Sequence, residues 1–254
     1  MIIPSKTDLS IRECTQVVEF AQCVQIQREV FTLPEGELSP VRHLVVTVNA
    51  GGFVLGGFDG ERLAGFVLSV PAFIYGRRAF YSHMTAVRAE YQSIGLGARL
   101  KWAQRDRALR AGVEFIKWTF EPVKARNAFF NLEKLGATAR EYKPNFYGTD
   151  YAASAMLGSP IGLPSDRLFA EWRLNSGKVA ALASERSFDE RRSPDLEIEI
   201  TADWEKLVRR DPETALAEQS RVRAAFQAAF ATGLNAAGFR RDAERPAYLL
   251  YDNR

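Results

Sequence analysis

The chain is poor in the residues that most often build covalent or metal-based chemistry. Its 254 residues include only two cysteines, Cys14 and Cys23, and two histidines, His43 and His83. Two cysteines make no disulfide framework, and neither has a convincing histidine-acid partner that would mark a nucleophile. They read as reduced thiols of the core or surface. The histidines have no neighbouring cysteine and no HxxxH spacing, so no metal centre is expected. No apolar run approaches bilayer-spanning length, and the N-terminus lacks a basic-then-apolar signal pattern. A cytoplasmic chain with no membrane partner is expected. Charge is nearly balanced: Lys+Arg 34 against Asp+Glu 31 leaves a net +3. That steers anions weakly. Without an arginine-lysine tract or an aromatic-basic stripe, a nucleic-acid partner is not expected.

What is present is a globular composition, with 46% hydrophobic and 26% charged residues. Residues 9–14 read as a short strand, and Thr15 as the cap of a helix presenting Val17, Phe20, Val24 and Phe31. Pro34, Gly36 and Pro40 break that pattern. Residues 53–58 and 63–70 read as strands joined by a tight Asp59-Gly60 hairpin. Residues 80–87 form a fourth strand and 113–120 a fifth, with a helix between them on Leu96, Leu100 and Ala103. Ala125, Ala128, Phe129, Leu132 and Leu135 mark another helix, stopped by Gly136. Strand signals recur at 137–148, 166–174, 196–200 and 248–251. Asp211-Pro212 opens a late helix. The fold class is α/β, a mixed sheet with helices on its faces and a small C-terminal α+β addition. The predicted organisation is a domain over 1–148, a connecting segment over 149–194 that extends the sheet, and an extension over 195–254.

The run Gln92-Ser93-Ile94-Gly95-Leu96-Gly97 follows the fourth strand directly. Two glycines let the backbone bend closely, and the helix that opens there points free N–H groups outward. Such a start holds an anion without lysine or metal. It is not the dinucleotide fingerprint, which needs GxGxxG after a first strand.

The order of elements, with Gln92-x-x-Gly95-x-Gly97 between fourth strand and helix, resembles the GCN5-related N-acetyltransferase (GNAT) superfamily. Asn127-Ala128-Phe129-Phe130-Asn131-Leu132-Glu133-Lys134-Leu135-Gly136 is similar to that superfamily's fourth-helix pattern. The resemblance covers roughly residues 8 to 148. Asn145-Phe146-Tyr147-Gly148, Pro164-Ser165-Asp166-Arg167 and the segment from Gly238 to Leu250 also resemble a less studied branch of acyltransferases.

The resemblance implies acetyl-CoA or another acyl-CoA as co-substrate and direct attack by a primary amine, with no covalent enzyme intermediate and no metal. Backbone N–H groups of Ile94, Gly95, Leu96, Gly97 and Ala98 would hold the pyrophosphate, and Gln92 would orient the turn. Val87 would polarise the thioester carbonyl, while Asn127 and Phe130 would contact the donor. A tyrosine four residues before the terminal glycine often protonates the leaving thiolate in relatives; here that position is Leu132. Tyr147 and Tyr142 are candidates to replace that acid, with structural hydroxyls or aromatic packing as the other reading, and His83 and Glu121 are candidates to take the amine's proton. Arg77, Arg78 and Arg167 are candidate clamps for a carboxylate on an amino-acid acceptor or a dicarboxylic donor. The acyl group stays open between acetyl and succinyl. Relatives often dimerise, so a homodimer is expected on resemblance alone. A CoA-binding or sensor module without turnover is the alternative to an enzyme.

Overall fold

Strand β1 (Ser10–Glu13) pairs antiparallel with β2 (Phe53–Asp59), and between them run helices α1 (Val17–Phe31) and α2 (Val41–Asn49). Thr15 does not cap α1. The carboxylate of Glu19 reaches back and accepts the N–H groups of Thr15 at 2.7 Å and Gln16 at 3.0 Å, which satisfies donors a helix start leaves open. β2 turns through Gly60, at φ 58°, into β3 (Arg62–Ile74). β3 turns through Tyr75 and Gly76, both left-handed, into β4 (Arg77–Val87). Two successive left-handed residues suit a two-residue hairpin because their twist matches that of the strands. All these pairings are antiparallel. The chain then enters α3 (Leu96–Arg110) and returns as β5 (Phe115–Phe120), parallel to β4 at Phe80↔Ile116 and Tyr81↔Lys117.

The computed structural model describes residues 9–31, 34–150, 162–188 and 192–252. It divides into two units at the Lys117–Trp118 bond, inside β5. In the first unit the apolar core lies between α1, α2 and the sheet, and includes Phe20, Cys23, Ile26, Leu44, Phe58 and Phe66. Cys14 and Cys23 are both free and buried in it. The neighbouring Cys14 thiol, and then burial, push the Cys23 thiol's pKa up, which suits packing and not nucleophilic attack. α3 buries Leu96, Leu100 and Ala108.

In the second unit α4 (Ala125–Phe129) runs into a π-helical turn at Phe130–Lys134. Strands β6 (Thr138–Lys143), β7 (Thr149–Asp150), β8 (Leu163–Pro164) and β9 (Arg167–Arg173) follow, then α5 (Gly177–Ala183). The rest is β10 (Leu196–Glu199), α6 (Trp204–Arg210), α7 (Pro212–Ala231), β11 (Asn235–Arg240) and β12 (Ala247–Tyr251). β9 pairs antiparallel with β6. The order within this unit is β9-β6-β11-β12-β10, all antiparallel, with β10 outermost. Asp211 caps α7 by accepting the Thr214 N–H at 3.0 Å, with Pro212 in the first turn.

Candidate functional site

The turn after β4 joins two left-handed residues to a helix start. Gly95 takes φ 88° as the residue before α3, and Ser93 takes φ 65°. Left-handed residues spaced this way let neighbouring N–H groups face a common point. Arg99 N donates to Gly95 O at 3.1 Å, closing the first helical turn. Leu96, Gly97 and Ala98 precede that bond, so their N–H groups have no acceptor within the helix. The helix dipole adds partial positive charge at the same place. Ile94, Gly95, Gly97 and Ala98 are each partly accessible, whereas Leu96 is buried and anchors the helix start.

Gln92 makes a specific contact at the start of this turn. Its Nε2 donates to Val87 O at 2.9 Å, tying the turn to the end of β4. A second anchor went unread in the sequence. A Cβ on Gly57 of β2 would lie 2.6 Å from Leu96 Cδ1. Gly57 is therefore the gap into which Leu96 packs, and it sets how closely the cradle sits on the sheet.

The pairing of β4 with β5 stops early. β4 is bridged to Ile116 and Lys117 at Phe80 and Tyr81 only, whereas its pairing with β3 runs on to Val87. The last third of β4, ending in Val87, thus keeps one edge outside that parallel ladder among the described residues.

His83 stands in this part of β4. Leu68 pairs with Met84 and Ser69 with Ser82, leaving His83 as the extra residue of a bulge. Its side chain is solvent-accessible, and its Nε2 lies 3.2 Å from Ser39 Oγ. Lost hydration, and then the charge of His43, lower its pKa, so the ring is neutral near pH 7.

The remaining candidates of the first unit are engaged otherwise. Arg77 lies over the Phe115 ring, 4.6 Å from its centroid. That is a cation–π contact at the base of the β3–β4 turn, and the guanidinium stays exposed. Arg78 is likewise exposed on the same hairpin.

In the second unit, Asn127 and Phe130 are partly accessible on α4 and its π-helical turn. π turns are frequent where helices carry function. Trp118 Nε1 donates to Asn131 Oδ1 at 3.1 Å, and Trp172 Nε1 to Leu135 O at 2.7 Å, which pins this turn from two sides. Leu132 is wholly buried there. Leu132 is thus a core position in this chain.

Glu121 bridges Lys124 at 2.8 Å and stays half-buried, a carboxylate at a helix start. Tyr142 has a different task from the one expected. It is buried, donates its hydroxyl to Asp166 Oδ2 at 2.5 Å and stacks on Phe226. Burial, and then the Asp166 carboxylate, push its pKa up. A phenol held this way is withdrawn from proton transfer. Tyr147 is the opposite case. It is exposed, its hydroxyl is 3.3 Å from Thr119 Oγ1, and Arg167 covers its ring at 5.2 Å. Its loop is fixed by Tyr147 N donating to Ser165 Oγ at 2.8 Å and Phe146 N to Ser165 O at 3.1 Å.

With this geometry in view, solved structures offer clear parallels. A protein of Desulfovibrio desulfuricans assigned to the GNAT acetyltransferases is 14% identical, with a TM-score of 0.51, over 65% of this chain and 99% of its own. A Salmonella typhimurium protein solved with its cofactor acetyl-CoA is 18% identical, with a TM-score of 0.53, over 67% of this chain and 96% of its own. The ribosomal-protein-S18-alanine N-acetyltransferase of Escherichia coli is 14% identical, with a TM-score of 0.52, over 66% of this chain and 96% of its own. The fold is that of the GNAT acetyltransferases. It accounts for about two thirds of the chain, and the sequence expectation of fold class holds. No protein-family model and no curated sequence matches the chain. Among the described residues, no helix is long and apolar enough to cross a membrane.

Proposed function

We propose that this protein is an acyl-CoA-dependent N-acyltransferase that moves an acetyl or succinyl group to a primary amine, such as that of an amino acid. The observation that carries the reading is the turn itself. A left-handed Gly95 opens α3 directly after β4, and Gln92 fastens the turn to Val87. In this reading the N–H groups of Leu96, Gly97 and Ala98 hold the CoA pyrophosphate. The Ile94 and Gly95 N–H groups lie beside them, and Gly95 and Gly97, without side chains, allow the close approach.

The reaction needs little else from the protein beyond position and proton transfer. The ammonium of the acceptor loses one proton, and the free amine attacks the thioester carbonyl carbon. A C–N bond forms, the C–S bond breaks, and the CoA thiolate takes up the second proton lost by nitrogen. The net products are amide, CoA thiol and one proton. Tyr147 is the phenol we assign to the thiolate, because its hydroxyl is exposed. Arg167 beside it is the carboxylate clamp.

Calorimetry with CoA, then thiol release from acetyl-CoA and succinyl-CoA across a panel of amino acids and alkylamines, tests the reading. Binding with amine-dependent thiol release is expected. A failure to bind CoA would sink it. Tyr147→Phe should lower turnover about tenfold to a hundredfold and remove the alkaline limb of the pH profile. An unchanged profile rejects Tyr147 as the acid. The alternative, a CoA-binding module without turnover, draws on one observation, the burial of Leu132 at the usual acid position. Tight CoA binding without thiol release across the whole panel would favour it.

A further inference from the structure

The only two histidines of the chain meet. His43 comes from α2 and His83 from the β4 bulge, and their rings lie edge to face with centroids 6.0 Å apart and planes at 73°. The bulge decides which way His83 faces. Ser82, the preceding residue, turns toward α3 and accepts from Lys101 Nζ at 3.1 Å. His83 turns to the other side of the sheet, toward α2 and the segment before it. There Ser39 Oγ meets its Nε2 at 3.2 Å.

Ser39 is itself held in place. Gln27, wholly buried on α1, donates Nε2 to Ser39 O at 3.1 Å and accepts Ser39 N on Oε1 at 2.8 Å. A buried amide satisfied on both sides by one residue fixes that residue firmly. Three segments of the first unit thus converge on one accessible imidazole: α1 through Ser39, α2 through His43, and β4 through its bulge. Packing a surface ring would not require such support.

We propose that His83 is the general base that deprotonates the acceptor amine, and that His43, packed edge to face against it, is a positioning residue that holds the His83 ring in place. The inference rests on the acyltransferase reading and adds the proton acceptor that the reading requires. In the tautomer that donates from Nε2 to Ser39 Oγ, the lone pair on Nδ1 receives the ammonium proton. The imidazolium then returns it to water, while the freed amine forms the amide bond.

The charges around the ring agree with this role. His43 is the titratable group facing His83 from α2, and Ser39 presents a neutral hydroxyl. Leu68 and Ser69, opposite on β3, carry no charge, and Lys101 serves the far face of β4. Two rings this close resist carrying two protons at once. Lost hydration, and then the neighbouring His43, hold the His83 pKa down, which leaves a neutral base near pH 7. The acceptor class that suits this base is a cationic primary amine, which donates to a neutral imidazole.

Two histidines give two sets of imidazole signals, so NMR titration reads the pair directly. In the wild type, His83 should titrate below the ordinary value of about 6.5, and His43→Gln should move it upward. In turnover, His83→Gln should lower kcat by about a hundredfold, leave CoA affinity unchanged and abolish the acidic limb of kcat/KM. His43→Gln should retain most of kcat but move that limb to higher pH, a shift that a merely structural role would not produce. Turnover with an intact acidic limb in His83→Gln overturns the base assignment while CoA binding stands. Absence of CoA binding in the wild type sinks the donor reading and this inference together. Two independent ring titrations at the ordinary value overturn the pairing whatever the turnover.

Discussion

Tyr142 donates its hydroxyl hydrogen to Asp166 Oδ2 at 2.5 Å, and Arg223 grips the same carboxylate through Nε at 2.9 Å and Nη2 at 3.0 Å. Asn145 N completes the set at Oδ1, 2.9 Å away. Asp166 is buried, and its partners come from β6, the turn that follows and α7. This carboxylate is what fastens the late helix and the Tyr147 loop to one point. Asp166→Ala should therefore cost about 3–5 kcal/mol in urea unfolding, because it strands Arg223 as well as Tyr142. Tyr142→Phe removes one donor and should cost about 1–3 kcal/mol, with turnover unchanged. The pH dependence has a fixed sign. The folded Tyr142 binds its proton more tightly than the unfolded chain does, so its contribution is whole below about pH 10 and fades as pH climbs beyond. The stability gap between wild type and Tyr142→Phe should narrow only in that alkaline range. A gap that closes below pH 8 would overturn the account.

Gly97 separates a glycine that the fold needs from one that a ligand needs. A Cβ there would meet only Val87 Cγ2, at 3.9 Å, an ordinary contact. Gly97→Ala should therefore fold normally and gain about 0.5–1 kcal/mol in thermal unfolding, because alanine suits a helix better. If the first turn of α3 binds a pyrophosphate, the same variant should lose about tenfold in CoA affinity, since the new methyl occupies the approach. Gly57→Ala is the converse. Its Cβ would sit 2.6 Å from Leu96 Cδ1, so it should destabilise by about 1–3 kcal/mol. An unaltered CoA affinity in Gly97→Ala would move the cradle away from α3.

The turn after β4 was legible as a strand-to-helix turn because it is local. A strand, two glycines and a helix start lie within one short run, and each carries its own backbone preference. The helix α2 was not. Val41, Val45, Val46, Thr47 and Val48 are β-branched and favour strands, and Pro40 marks a break. Tertiary burial of Leu44 and Thr47 overrides that preference. With α2 unread, the meeting of His43 and His83 could not be seen, because it depends on a helix and a strand forty residues apart in sequence. Gly57 was hidden for a related reason: a glycine within a strand shows its purpose only once Leu96 lies over it. The short α6 and the strand β11 also escaped, the first for lack of length and the second for its Ala-Ala-Gly core. Tyr142 and Tyr147 read alike in sequence. Burial alone distinguishes them, and burial is a property of the folded chain.

Lys101 gives the clearest pH test of the first unit. It is buried on α3, with Nζ donating to Ser82 Oγ at 3.1 Å, and Gln104 beside it donates Nε2 to Ser69 Oγ at 2.8 Å. Loss of hydration holds its pKa well below the ordinary lysine value. The unfolded chain, where the lysine is hydrated, therefore binds the proton more tightly than the folded one. This lysine's contribution to stability therefore rises with pH up to the ordinary lysine value of about 10.4, and its cost is greatest at acid pH. Lys101→Met keeps the length and removes the charge, while Ser82 Oγ retains Gln104 Oε1 at 3.4 Å. The variant should be more stable than the wild type by about 1–4 kcal/mol at pH 6, with the difference shrinking toward pH 10. Urea midpoints across that range read it directly. Parallel curves for the two proteins would mean that Lys101 stays charged in the folded state and that its surroundings are wetter than the packing of α3 on the sheet implies.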